Sequence, residues 1–198
     1  MKVIVFDTET NGLNNCSVLS ISAIKLEVEG KKAKEIGKFE RYYFPEPGEK
    51  YDEEAIKVNG LTEEVLIKNK NANEPKHFKE DKEFIEFCKD TKHYVAHSIA
   101  FDKKFLPFEI ENEFCTKQIG KKTMVVDEQT KNEYRWPRLS HAAKYYNVPM
   151  DESKWHGASY DTKICLEIFK GMLKDPNVKE YMNNFLKETN VKKNSFVR

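Results

Sequence analysis

The chain has 198 residues and a formal charge of +1, because 34 basic side chains nearly balance 33 acidic ones. That length suits one domain, able to bury roughly 70% of the surface its unfolded chain exposes. The charge balance excludes a global field that would draw a polyanion, so any nucleic-acid site must come from local patches. Cys16, Cys88, Cys115 and Cys165 lie far apart with no C-x-x-C pair, which excludes a zinc knuckle or a dense disulfide framework. A reduced, cytoplasmic protein is expected. The opening MKVIVFDTET reaches acidic residues after four apolar positions, and no apolar run approaches the ~18 residues of a membrane span. Neither secretion nor contact with a membrane is expected.

Val3 to Phe6 is a continuous apolar run, the mark of a strand buried on both faces of a sheet. Val18 to Val28 and Phe39 to Phe44 follow as β-rich stretches parted by a turn at Gly30, Lys31 and Lys32, so three antiparallel strands should open the fold. Beyond Pro45, Pro47 and Gly48 the apolar spacing lengthens to three and four, predicting helices over Asp52–Val58, Thr62–Ile67 and Phe78–Cys88. His93–His97 reads as a fourth strand, Ile99–Phe108 as a helix stopped near Pro107, and Glu113–Thr116 as a further strand. Helices are predicted over Ser140–Tyr146, Ala158–Leu173 and Val178–Leu186. The fold class is α/β, with residues 1–175 as the main domain and 176–198 as a C-terminal helix and basic tail, either part of that domain or an extension for a partner.

Asp-x-Glu occurs three times where 9 Asp and 24 Glu predict about one by chance. Asp52/Glu54 and Asp81/Glu83 stand in charged surroundings and read as solvated faces. Asp7/Glu9 differs, because it follows the buried strand directly. Residues i and i+2 of a strand project to one face, so these carboxylates converge at a rigid strand end, where they repel each other unless a cation lies between them. His-x-x-x-x-Asp occurs twice, as His97/Asp102 and His156/Asp161, against about 0.2 expected from 5 His and 9 Asp. Asp102 follows the fourth strand and Asp161 opens a helix. His97 reads as a structural histidine at a strand end.

Asp7, Glu9, Asp102 and Asp161 form a hard-oxygen set suited to two Mg²⁺ or Mn²⁺ ions rather than to zinc. Such a pair activates water and stabilises the leaving oxygen in phosphodiester cleavage. A neutral His156 could take the proton of that water.

Phe6-Asp7-Thr8-Glu9-Thr10-Asn11-Gly12-Leu13, His97-Ser98-Ile99-Ala100-Phe101-Asp102 and His156-Gly157-Ala158-Ser159-Tyr160-Asp161-Thr162 resemble, in order, the three motifs of the DEDDh (DnaQ-like) 3′-5′ exonucleases. That family includes the proofreading subunit of bacterial DNA polymerase III and ribonuclease T. The resemblance spans residues 3 to about 170. It implies an RNase H-like fold with a mixed five-stranded sheet, three antiparallel strands first, and helices on both faces. It further implies a metal held by Asp7, Glu9 and Asp161, a second metal bridged by Asp7 and reached by Asp102 through water, and His156 as general base. Thr8 and Thr10 would hold the terminal nucleotide, and Gly12 would let the chain turn closely beside it. Asn59 stands where the family often has His, and Ser98 replaces a commoner Asn; Phe101 is a stacking candidate or a core ring.

The implied activity is removal of nucleoside 5′-monophosphates from single-stranded 3′ ends, DNA favoured over RNA, in proofreading, repair or RNA processing. A DNA polymerase subunit is an implied partner, and a monomer or homodimer an expected state. Two other classes remain open at this point: a non-catalytic nucleic-acid or polymerase-binding module that keeps the fold, and a metal-dependent phosphatase. Between residues 117 and 144, seven basic side chains stand against three acidic ones, interleaved with Tyr134, Trp136 and Tyr145, a composition suited to a single strand. Residues 187–198 carry four basic side chains against Glu188.

Overall fold

Val3, Ile4, Val5 and Phe6 are each no more than 1% exposed, which makes the first strand the axis of the molecule. The computed structural model describes residues 1–124 and 137–187. Strands β1 (Lys2–Thr10), β2 (Val18–Glu29) and β3 (Lys32–Tyr42) form an antiparallel meander. β4 (His93–Ala96) and β5 (Asn112–Cys115) then add in parallel on the other side of β1. The order is β3-β2-β1-β4-β5, a mixed five-stranded sheet of the expected kind.

The alternation of β1 distributes two cores. Val3 and Val5 pack with Ile164, Cys165 and Ile168 on one face, whereas Ile4 and Phe6 pack with Phe84, Tyr94 and Ile99 on the other. Helices α1 (Glu53–Asn59), α2 (Glu63–Asn69) and α3 (Lys82–Cys88) follow the meander. Short α4 (Ile99–Asp102) follows β4, and α5 (Thr116–Thr123) follows β5. Then come α6 (Leu139–Tyr145), α7 (Ala158–Met172) and α8 (Lys179–Phe185). Met182 and Phe185 of α8 share the core that α7 builds on the sheet.

Several elements differ from expectation, each for a visible reason. β3 begins seven residues before Phe39, because the hairpin pairs Glu29 with Lys32 and continues to Ser20 opposite Tyr42. Its lysines belong to an edge strand, where charge hides the apolar period. The helix expected over Ile99–Phe108 ends at Asp102 and continues only as a 3₁₀ turn, Lys103–Phe105. Pro107 forces the preceding Leu106 into extended backbone. α5 was not expected at all, since its buried positions are Thr116, Gly120 and Thr123 and carry no apolar signal. Among the described residues no helix is long and apolar enough to cross a membrane, and all four cysteines are free thiols.

Asp81 corrects a further reading. It is 1% exposed rather than solvated, and it divides the predicted Phe78–Cys88 helix into a 3₁₀ turn and α3. One carboxylate oxygen accepts the N–H groups of Glu83 and Phe84, the cap of α3; the other accepts Arg41 Nη1 at 2.7 Å and the Tyr43 hydroxyl at 2.8 Å. Arg41 also pairs with Glu83 and lies on the Phe39 ring. Asp52, the acid of the other triplet, caps α1 through Glu54 N–H and Ala55 N–H. Both carboxylates serve the backbone donors that a helix start leaves unpaired. Asp81→Ala removes the cap of α3 and the buried acceptor of Arg41 and Tyr43, while Arg41 keeps its pairs with Glu83 and Glu74, so it should cost about 2–4 kcal/mol. Thermal unfolding should show a fall on the order of 10 °C relative to wild type; a fall under 2 °C would show that the network does not hold this corner.

Candidate active site

Asp7 and Glu9 lie on the β1 face that carries Val3 and Val5, the face covered by α7. Asp161 lies in the first turn of α7, where the helix dipole favours a carboxylate. Strand parity and helix docking thus deliver three acids to one point. Oxygens of Asp7, Glu9 and Asp161 lie within 4.8 Å of one another, and all three residues are half-buried.

Thr8 and Thr10 project to the opposite face by the same parity. The Thr8 hydroxyl donates to Asp102 Oδ1 at 2.8 Å, and the Thr8 N–H donates to the same oxygen at 3.2 Å. β4 runs parallel to β1, so the helix after it emerges at the same sheet end and brings the buried Asp102 to Thr8. Asp102 lies outside the compact trio, although its charge reaches Asp7 and Glu9. The Thr10 hydroxyl is turned to the Gly12 carbonyl at 2.5 Å.

The electrostatics follow from this crowding. Burial pushes the Asp7 carboxyl well above the carboxylate range, and the charges of Asp102, Glu9 and Asp161 push it further. Glu9 is raised to about 8, by burial first and then by Asp161 and Asp102, against one hydrogen bond from the Asn59 amide. Burial raises Asp102 to about 6 against its two bonds from Thr8. Asp161 is also raised by burial, while the charge of His156 and its backbone N–H pull it down. An all-carboxylate donor set, crowded and short of counter-charge, fits a hard divalent cation such as Mg²⁺ or Mn²⁺. Ser22, directly across from Asp7 in the β1–β2 ladder, is fully buried with its hydroxyl unbonded, one more oxygen beside the trio.

His156 is exposed and adopts a left-handed backbone, φ +61°, immediately before the helix. That left-handed turn, uncommon for a side chain other than Gly, stands five residues before Asp161. His97 has the structural surroundings expected of it: its ring nitrogens meet Thr116 Oγ1 at 2.9 Å and the Pro137 carbonyl at 3.1 Å, and burial lowers it to about 4.

A cleft of about 270 Å³ opens beside Glu9, lined by Thr8, Thr10, Gly12, Asn59 and Phe101 among others. Asn59 is held at the end of α1 by Gly60, whose φ of +68° stops the helix. Its amide donates to the Thr10 carbonyl and accepts the Leu61 N–H, both at 3.0 Å. Phe101 is half-buried and meets Phe105 edge-on at 5.2 Å. Ser98 is half-buried at the start of α4 without capping it through its side chain. A Cβ at Gly12 would find only ordinary contacts, 3.5 Å to Asp52 and 3.6 Å to Cys16, so the chain's own packing does not demand glycine there.

Two cleft residues escaped the sequence reading: Leu13 and Val58 are 78% and 56% exposed, an apolar rim on this cleft. Leu13 was legible in principle, as a lone apolar residue in the polar run Asn11-Gly12-Leu13-Asn14-Asn15. Asn11 was also missed. It is buried and ties the loop by bonds to Lys50 O and from Ser17 N–H. Of the basic and aromatic stretch, Lys131, Tyr134, Arg135 and Trp136 lie outside the described residues, as does the tail beyond Lys187.

A mixed sheet with three acids gathered at the end of its central strand defines a hydrolase of the RNase H-like fold. The model of the RNase T exonuclease family matches residues 4–169, and the chain belongs to that family, in its DnaQ-like DEDDh branch. It is 30% identical over 193 residues to DNA polymerase III PolC-type of Mycoplasmopsis pulmonis, a match covering 94% of this chain and 12% of that protein. It is 27% identical over 183 residues to DNA polymerase III subunit epsilon of Pasteurella multocida, covering 85% of this chain and 67% of that one. The chain thus spans a small part of the first relative and about two thirds of the second. Among solved structures, the nuclease domain of 3′hExo, a DEDDh family member bound to rAMP, superposes with a TM-score of 0.64 at 14% identity, covering 89% of this chain and 94% of that one. E. coli Exonuclease I in complex with a dT13 oligonucleotide gives 0.68 at 12% identity, over 92% and 43%. At these identities the structures share the fold.

A carboxyl raised by folding holds its proton more tightly folded than unfolded, so the metal-free protein loses stability as pH climbs through that interval. For Glu9 the interval runs from the ordinary 4.5 to about 8. In EDTA the melting temperature should fall by roughly 5 °C or more between pH 5 and 8, and Glu9→Gln should flatten the slope. An equally steep slope in Glu9→Gln would remove Glu9 as its cause.

Proposed function

We propose that the chain is a divalent-metal-dependent 3′-5′ exonuclease acting on single-stranded ends, DNA before RNA, and releasing nucleoside 5′-monophosphates. The observation that carries this reading is the convergence of Asp7, Glu9 and Asp161 within 4.8 Å, beside a cleft with an apolar rim. Asp7, Glu9 and Asp161 would hold one Mg²⁺ or Mn²⁺, with Asp7 shared toward a second and Asp102 acting on it through water. Such ions supply Lewis-acid stabilisation of the phosphoryl charge and a more acidic water.

The chain's own residues then have separable tasks. Leu13, Val58 and Phe101 offer apolar surface to the terminal base, and a stacked or wedged base needs no particular sequence. Thr8 orients Asp102, and Asn59 orients Glu9. His156, exposed at the mouth, accepts the proton of the attacking water. As the water oxygen bonds to phosphorus, the P–O3′ bond breaks; its electron pair leaves with O3′ of the shortened strand, which takes a proton from solvent. A role beside a DNA polymerase is supported by the relatives named DNA polymerase III PolC-type and DNA polymerase III subunit epsilon.

Labelled single-stranded DNA and RNA incubated with Mg²⁺, Mn²⁺ or EDTA should show stepwise shortening from the 3′ end only with metal. Asp7→Ala should abolish turnover with the fold retained, and undiminished turnover in that variant would end the metal-site assignment. His156→Ala should lower kcat by roughly 10² to 10⁴ without loss of metal binding. A defect confined to KM would instead make His156 a binding residue.

A further inference from the structure

A second cavity, of about 160 Å³, lies on the other flank of the acidic centre, where Arg138, Ser140, Trp155, His156 and Asp161 meet. It is distinct from the Glu9 cleft and shares no lining residue with it. Among the described residues, the exposed Arg138 is the one arginine or lysine in its wall. Its place is set from both sides of the backbone: the preceding Pro137 carbonyl is bonded to the His97 ring, and Arg138 is the cap residue directly before α6. Among the described residues, no carboxylate comes within ion-pair distance of its guanidinium, although the neighbouring centre is rich in acids. A cation placed against such a centre without being spent on it is available to an incoming anion.

We propose that Arg138 binds the phosphate of the nucleotide being removed, and that this cavity receives that phosphate as product. The inference rests on the exonuclease reading above. If His156 takes the proton of the attacking water, the water oxygen approaches phosphorus from the His156 side. After the P–O3′ bond breaks, that oxygen belongs to the new 5′-phosphate and faces the cavity that His156 and Arg138 share. The group gains negative charge on release, which a cation on the His156 side offsets. A guanidinium fork offers paired N–H donors to two phosphate oxygens, and Ser140 adds a hydroxyl to the same wall. The terminal nucleoside lies on the Glu9 side, so the two cavities divide the leaving nucleotide between them.

The test is equilibrium binding of adenosine and deoxyadenosine 5′-monophosphates, each against its own nucleoside, to wild type, Arg138→Met and Arg138→Lys in Mg²⁺. Wild type should prefer the monophosphate. Arg138→Met should weaken monophosphate binding about tenfold, as loss of a charge-assisted bond implies, with nucleoside binding within twofold and the melting temperature unchanged. Arg138→Lys should recover part of the loss, because it restores charge without the fork. Equal monophosphate affinity in wild type and Arg138→Met, parallel loss of the nucleoside, or no preference in wild type would each overturn the assignment. The same proteins assayed on a labelled strand separate the two readings. A wild type that degrades the strand while Arg138→Met binds monophosphate normally sinks the Arg138 subsite alone; a wild type that degrades nothing yet shows the Arg138-dependent preference sinks the exonuclease reading and leaves the subsite.

Discussion

Mutual repulsion among crowded, half-buried carboxylates is the constraint around which this molecule is arranged. Asp7, Glu9 and Asp161 are brought within a few ångströms of each other in partly desolvated surroundings, and Asp102 stands just behind them. No isolated segment would hold that arrangement, since unfolding separates the charges and rehydrates them. It persists because the acids stand on elements whose positions are set by apolar packing elsewhere: β1 is buried on both faces, and α7 is bound to it through Ile164, Cys165 and Ile168. The core meets the electrostatic cost of a cluster that bound protons or a cation would relieve.

The alternation of β1 is how one strand serves two purposes at once. Its odd residues continue from the core beneath α7 into the acidic trio; its even residues continue from the opposite core into Thr8, which secures Asp102. A shift of one residue in register would exchange these roles and leave no site. The parallel pairing of β4 matters equally, because it brings the α4 acid out at the same sheet end as Asp7. Around this centre the neutral framework is dense with directed hydrogen bonds. Asn11 shapes the loop after β1, Asn59 spans Thr10 and Leu61, and His97 ties β4 to α5 and to Pro137.

The readable parts of the fold were those in which a residue's neighbours in sequence are also its neighbours in environment. The buried run of β1, the β2 stretch and the amphipathic α7 all announced themselves by periodicity. α5 did not, because threonine and glycine fill its buried face. Asp81 was misread because its triplet with Glu83 resembles a solvated acidic face, and its true partners, Arg41 and Tyr43, lie about forty residues away. Leu13 and Val58 were passed over for a related reason: an apolar side chain discloses its exposure only when the cleft around it exists.

The sequence by itself determined the class of chemistry, because four acids and a histidine in three ordered motifs narrow the function before any contact is known. It also indicated that three antiparallel strands open the fold and that Asp7 and Glu9 share one face of the first, since a period of two puts residues i and i+2 on the same side. Only the tertiary structure decided which acids form the compact trio and which stands behind it, where the two cavities open, and that Arg138 reaches the flank of Asp161 unpaired by any described carboxylate. Those are relations between distant segments. Local propensity carries no information about them, because distance across a packed interface is set by all the side chains between.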